Sequence, residues 1–210
     1  MERLSSRAFL TLFLSLLMGV AQVFAQEHEH SVAAGERLGT VHFMTSCNAT
    51  AQPKFDRAVA LLHSFDFARA IAAFNAAVDS DSNCGIAYWG VALSRWGNPF
   101  ASGIKPAIQM QQGAAAIARA RAIGASTDRE RSYIEAAAQL YTGFETIPQH
   151  TRVLAYRDSM ANLASNYGTD NEASIFYALS LAIAADPADK TYTAQLKDGA
   201  ILEKLLSEST

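Results

Sequence analysis

The chain has 210 residues, half of them apolar, and a formal net charge of −3 at pH 7. A chain of this length can bury one hydrophobic core, so one folded domain is the simplest expectation. Its basic residues form no stripe or patch along the sequence, which excludes the electrostatic pattern of a nucleic-acid-binding protein.

The first 25 residues have the pattern of a secretory signal peptide. Two arginines precede an apolar run over residues 8–20. Val23 and Ala25 then supply small side chains before a cleavage site at Gln26. The apolar run is short for a membrane span, and an uncleaved anchor is the alternative. We expect export to the periplasm or secretion, with no membrane attachment after cleavage.

Residues 26–37 are predicted to form a disordered polar tail ahead of a folded domain over residues 38–210. The tail includes the sequence E-H-E-H at residues 27–30. His28 and His30 are possible ligands for a transition metal, because neutral imidazole binds such ions well. No nearby histidine or cysteine completes a site, so the sequence predicts a solvated tail, no metal site and no cofactor.

The apolar spacing after residue 50 predicts eight helices and no strand, preceded by an extended segment over residues 38–46. Asp66 is the expected cap of the second helix, and Gly124 is expected to end the fourth. Thr127 and Glu130 have the spacing of a capping box. The predicted helices cover about residues 50–64, 67–79, a segment following Cys84 that includes 87–92, 106–123, a segment starting near 127, 151–167, 172–185 and 191–207.

The first three predicted helices have the period of a tetratricopeptide repeat (TPR). Ala58 and Ala92 lie 34 positions apart, and small residues recur at this interval in such repeats. A repeat of this kind buries its apolar faces only by stacking on its neighbours. We therefore predict an all-α, TPR-like, right-handed α-solenoid of about four helical hairpins, in which the later hairpins are less regular than the first.

The chain has two cysteines. Cys47 precedes the first predicted helix, and Cys84 precedes the third. In a repeat stack these are the same ends of two neighbouring helices, and an oxidising compartment favours their pairing. A disulfide here would stabilise the fold by about 3–4 kcal/mol in the chain-entropy model. Two free buried thiols are the alternative.

The first and third helices are also predicted to line the concave face of the solenoid with an apolar, aromatic groove. Such grooves bind peptides or apolar ligands through aromatic anchors. Two segments are candidates to cover the groove: the extended segment, and the loop at Pro99 and Phe100. An open groove and a covered groove are therefore equally compatible with the sequence. The predicted groove residues are Phe55, Val59, Leu62, His63, Trp89, Leu93 and Trp96.

No catalytic motif is present. The sequence has no G-x-S-x-G, no phosphate-binding glycine loop and no H-E-x-x-H. The charged run over residues 128–131 fits the first turn of a helix, and His42 is predicted to be a packed or interface histidine rather than a ligand or base. We therefore expect no enzymatic activity, and a secreted hydrolase is disfavoured.

The predicted function is a non-catalytic scaffold that binds a protein or peptide. The alternative is a periplasmic protein that binds a small ligand or a metal through the aromatic groove or the histidine-rich tail. An open groove of peptide width would favour the first function. A closed pocket with convergent polar groups would favour the second.

Five segments between Leu38 and the end of the chain together carry a resemblance to a known protein family. They are L-G-T-V-H-F-M-T-S-C (38–47), F-D-R-A-V-A-L-L-H-S-F (55–65), C-G-I-A-Y-W-G-V-A-L-S (84–94), I-F-Y-A-L-S-L-A (175–182) and K-T-Y-T-A-Q-L-K (190–197). They resemble a family of exported bacterial TPR proteins of poorly defined function. The resemblance implies helical repeats in an exported protein and brings no catalytic residues. Members of that family are longer, so the chain resembles a truncated member.

Overall fold

A computed structural model describes residues 38–101 and 103–208. Within these residues the chain forms eight α-helices and no β-strand, which confirms the predicted all-α class. The predicted signal peptide and polar tail lie outside the described residues. The helices are α1 (Gln52–His63), α2 (Phe67–Ser80), α3 (Ile86–Trp96), α4 (Ala107–Ile123), α5 (Asp128–Gln139), α6 (Gln149–Asn166), α7 (Asn171–Ala184) and α8 (Thr193–Glu208).

Short polar side chains start three of these helices. Asp66 caps α2 by accepting a hydrogen bond from the backbone N–H of Arg69, at 3.2 Å. Asp170 caps α7 in the same way. The Thr127 hydroxyl accepts from the backbone N–H of Glu130 at 3.1 Å and starts α5. These caps satisfy N–H groups that have no partner inside the helix, which explains where the helices begin.

Each helix packs against the next one in the chain, and α3 also packs against α1 and α5. Helix α3 is therefore the centre of the first half of the fold, and nearly all of its side chains are buried. Gly90 allows this packing, because a Cβ atom at that position would overlap the ring of Phe74 on α2. The order of packing is compatible with an α-solenoid.

Residues 38–46, which we call the strap, form no helix or strand and lie ahead of α1. The chain that follows is tied to the start of α3, because Cys47 and Cys84 lie at disulfide distance, with Cα atoms 4.9 Å apart. The structure thus places the two cysteines as their predicted pairing requires. None of the described helices combines the length and the apolar character needed to cross a membrane.

Candidate functional site

The structure divides the predicted groove into two regions. Phe55, Val59 and Trp89 have no exposed surface, so their assignment to an open binding surface is corrected: they belong to the hydrophobic core. The other four predicted groove residues line a cavity. These four are Leu62, His63, Leu93 and Trp96.

The first region is closed by a side chain of the strap. Phe43 is fully buried, and its ring centroid lies 5.2 Å from that of Phe55, 5.4 Å from that of Trp89 and 4.8 Å from that of Tyr133. Aromatic rings at these distances pack favourably in tilted and edge-to-face geometries. Of the two segments that the sequence offered as covers, the strap therefore covers this region.

Side chains of α1 hold the strap by its backbone. Asp56 accepts a hydrogen bond from the N–H of Phe43 at 3.1 Å, and Gln52 donates to the carbonyl oxygen of Phe43 at 2.8 Å. Gln52 also accepts from the N–H of Thr45 at 3.0 Å. An extended segment has no internal backbone hydrogen bonds, so these contacts satisfy groups that burial would otherwise leave unpaired.

Helix α5 holds the other end of the strap. The buried carboxylate of Glu130 accepts from the N–H and the hydroxyl of Ser46, both at 2.6 Å. Arg129 donates to the carbonyl oxygen of Met44 at 2.7 Å, and its guanidinium lies 4.4 Å from the ring centroid of Phe43. The run over residues 128–131 thus opens a helix as predicted. Its role in holding the strap was missed, because Ser46 lies 84 positions from Glu130 and leaves no local signal.

The second region is an apolar cavity of about 250 Å³. It lies where the ends of α1 and α3 meet α6 and α7. Phe65 is exposed and Pro99 is half-buried, so these two residues mark the side at which the cavity meets the surface. The lining residues are Leu62, His63, Phe65, Phe67, Leu93, Trp96, Gly97, Pro99, Leu140, Tyr156, Ile175, Phe176, Leu179 and Ile183.

His63 in the wall of the cavity is bonded to Glu172, which lies outside the wall. Nε2 of His63 is 2.8 Å from Oε2 of Glu172, and the imidazole ring stacks on Phe176 with centroids 5.2 Å apart. Glu172 is buried at the start of α7. Sequence reasoning missed it, because an acidic residue in a first helical turn is common and His63 lies 109 positions away.

A second polar side chain in the wall is Tyr156 of α6. It is almost fully buried, and burial raises the pKa of its hydroxyl above the usual value, so the group stays neutral near pH 7. Tyr141 shows the usual arrangement of a buried tyrosine, because its hydroxyl donates to the carbonyl oxygen of Ala92 at 2.6 Å. Tyr156 also gave no sequence signal, since aromatic residues on helices usually pack in cores.

A larger crevice of about 940 Å³ runs beside the strap. Its charged side chains are all engaged within the protein, and Glu130 and Glu172 are bonded to Ser46 and His63 as described above. Arg129 donates to Asp170 at 2.6 Å, and Tyr133 donates to the same carboxylate at 2.9 Å. Burial and the neighbouring Asp170 raise the pKa of Tyr133. His42 lines this crevice and is exposed, so it is not a packed histidine. The crevice is therefore a weaker ligand site than the cavity.

The part of the chain that the structure describes contains no group of three or more histidine, cysteine, aspartate or glutamate side chains able to hold a metal ion. The histidines at positions 28 and 30 lie outside it. The geometry thus defines an all-α helical protein with an aromatic region that Phe43 of the strap fills and an adjacent apolar cavity. Comparison of the chain with protein-family models, with curated proteins and with solved structures gives no match in any of the three.

Proposed function

We propose that the protein is a non-catalytic binding module that takes one apolar side chain of a peptide or protein partner into the cavity. The volume of about 250 Å³ supports this. It exceeds the roughly 150 Å³ of a cavity that holds benzene and is smaller than the roughly 300–1,000 Å³ of a pocket for drug-sized ligands. One aromatic or large aliphatic group fits between these limits.

The observation that carries the proposal is the cavity itself, which continues the region that the strap occupies. In that neighbouring region, α1 and α5 already hold an extended segment by one buried aromatic anchor and by side-chain contacts to its backbone. Leu62 and His63 at the end of α1, with Leu93 and Trp96 of α3, line the cavity beside that region. A partner segment with one apolar anchor would use this mode of recognition again.

The non-catalytic part of the proposal rests on the lining of the cavity. No serine, threonine or cysteine lies in its wall, so His63 has no neighbouring nucleophile to activate there. His63 is the one histidine of the lining, and its Nε2 is engaged with Glu172. This arrangement lacks the nucleophile–base pair on which hydrolases depend.

The scaffold that we propose for this site is TPR-like. The contacts of α3 with both α1 and α5 support it, because alternate helices of such repeats pack side by side. We also propose that the protein acts in the periplasm or outside the cell. The pairing of Cys47 with Cys84 supports an oxidising compartment. N-terminal sequencing of the exported protein tests this location, and the expected first residue is Gln26.

A binding titration tests the function. The neutral fluorophore N-phenyl-1-naphthylamine should bind the protein at one site, and N-acetyl-tryptophan amide should displace it. N-acetyl-glycine amide, which has the same backbone and no side chain, should not. The Leu179→Trp variant should lose the site, because the larger side chain fills the cavity from α7.

The matched control is Ile108→Trp, which adds the same side chain at an exposed position of α4 outside the cavity. Loss of fluorophore binding in Leu179→Trp alone supports the proposal. Equal binding by both variants, or equal displacement by the tryptophan and glycine amides, would contradict it.

A small amphiphilic ligand is the second candidate function. The specific observation in its favour is that the polar groups of His63 and Tyr156 lie in the wall of one small cavity. Displacement of the fluorophore by small molecules, and not by peptide amides, would favour this second candidate.

A further inference from the structure

The hydroxyl of Tyr156 is an unusual feature of the cavity. Buried tyrosine hydroxyls normally have a hydrogen-bond partner. No described residue supplies one to Tyr156, although the residue is only 3% exposed. Within the described residues, the fully enclosed side-chain polar atoms without a partner are Trp89 Nε1 and Asp198 Oδ1. The Tyr156 hydroxyl is not one of them, so it is not fully enclosed, and the residue itself lines the cavity.

The second polar atom is Nδ1 of His63. A carboxylate only accepts hydrogen bonds, so the bond to Glu172 places a hydrogen on Nε2. In the neutral ring Nδ1 is then an acceptor. No described residue donates to Nδ1, and this atom also is not fully enclosed. Tyr156 and His63 both line the cavity, so with a neutral imidazole these two residues supply one phenolic donor and one imidazole acceptor.

The remainder of the wall restricts the charge of a ligand. It contains no lysine, arginine, aspartate or glutamate. A charged group buried among such side chains would lose its hydration without gaining a partner of opposite charge, which is strongly unfavourable. Glu172 is already bonded to His63 and lines the neighbouring crevice. The cavity thus favours a neutral ligand.

We propose that the cavity recognises a neutral apolar group that carries one hydroxyl, of which a phenol is the simplest example. The hydroxyl oxygen accepts a hydrogen bond from Tyr156, and its hydrogen is donated to Nδ1 of His63. This inference rests on the proposed function, because it specifies the group that the same cavity binds. A free phenol and the tyrosine side chain of a peptide share this chemistry.

Calorimetric titrations with p-xylene, p-cresol and 4-methylanisole test the proposal. The first two have the same shape and differ by a methyl and a hydroxyl group, and the third accepts a hydrogen bond without donating one. The expected result is that Tyr156→Phe lowers the affinity for p-cresol about tenfold, because a ligand hydroxyl loses its partner. The affinity for p-xylene should not fall.

A second variant tests the contribution of His63. The His63→Gln change keeps a polar side chain beside Glu172 and removes the acceptor at Nδ1. It should reduce the affinity for p-cresol several-fold while leaving 4-methylanisole unchanged. This variant also keeps the proposal testable if Tyr156→Phe does not fold.

Tyr141→Phe is the matched control. Its hydroxyl is bonded to Ala92 and the residue is not part of the cavity lining, so the change removes a buried phenol from outside the wall. The ratio of p-cresol to p-xylene affinities should stay at the wild-type value in this variant.

Two further arms distinguish the sources of the phenol. N-acetyl-tyrosine amide and N-acetyl-phenylalanine amide differ by the same hydroxyl. If the wild type binds the tyrosine amide more tightly and Tyr156→Phe does not, the ligand is identified as a peptide side chain. A preference seen with p-cresol alone identifies a small free phenol.

The outcomes separate this inference from the proposed function. Binding of p-xylene together with a p-cresol affinity that neither variant changes would overturn the hydroxyl recognition and leave the cavity function standing. If neither p-xylene nor the fluorophore binds, the cavity function fails as well. Loss of p-cresol preference in Tyr156→Phe, with the ratio retained in Tyr141→Phe, is the result that supports the proposal.

Discussion

The strap region and the cavity differ in one respect, although both are built on α1 and α3. In the strap region, Phe43 enters the space between the helices and produces a closed aromatic cluster. In the cavity no side chain of the described chain fills the corresponding space. The comparison teaches that an aromatic stripe along a helix face can be closed core at one end and can line a cavity at the other.

The largest expected effect is that of Trp89→Ala, which breaks the strap region. Trp89 has no exposed surface and contacts the rings of Phe43, Phe55, Tyr133 and Phe176. Its removal leaves a cavity in the core, and we expect a loss of about 3–5 kcal/mol in the free energy of unfolding. Urea denaturation measures it. A loss in the free energy of unfolding below about 1 kcal/mol would mean that Trp89 is not a core residue and would support its assignment to a binding surface.

The second effect concerns the disulfide beside the strap. Replacing Cys47 and Cys84 together by alanine releases a loop with a sequence separation of 37. The expected loss is about 3–4 kcal/mol in the chain-entropy model. Denaturation of the double variant measures the loss, and a fluorophore titration shows whether the cavity survives. Retained fluorophore binding would show that the two regions are independent; its loss would show that the strap supports both.

The third effect concerns the cavity wall. Leu179 is half-buried and faces a space that is already partly open. Its replacement by alanine should cost about 1 kcal/mol, below the roughly 2–5 kcal/mol of a leucine in a closed core. Leu61 of α1, which is fully buried, is the matched control and should show the larger value. Equal losses at the two positions would mean that the cavity closes in solution.

The smallest effect comes from a surface pair outside both regions, Arg121 of α4 and Glu135 of α5. A hydrogen bond from the Arg121 guanidinium lowers the pKa of the Glu135 carboxyl below its usual value. A lowered pKa in the folded state means that the stabilisation is present above the pKa of the unfolded chain. It is lost as the pH falls through the folded value.

About half of each of these two side chains is exposed, so the expected contribution is roughly 0.2–1 kcal/mol. Thermal melts of Glu135→Gln and the wild type at pH 7 and pH 3 measure it. The two proteins should differ slightly at pH 7 and converge at pH 3. A difference that persists at pH 3 would assign the effect to packing rather than to charge.

The sequence by itself determined the local structure of this chain. Apolar spacing identified eight helices, and their bounds agree with the described helices to within about two residues in most cases. Asp66 and Thr127 were recognisable as caps because a cap acts on N–H groups only two or three positions away. The pairing of Cys47 with Cys84 was predictable from the presence of two cysteines and from the predicted export of the chain.

Only the tertiary structure decided which aromatic residues are core and which line a site. Trp89 and Trp96 lie two helical turns apart on one face of α3, so periodicity gives them the same role. Their roles differ because Phe43, 46 positions before Trp89 in the sequence, packs on one and not on the other. The pairs Glu130–Ser46 and His63–Glu172 also join distant positions, and no local pattern encodes them.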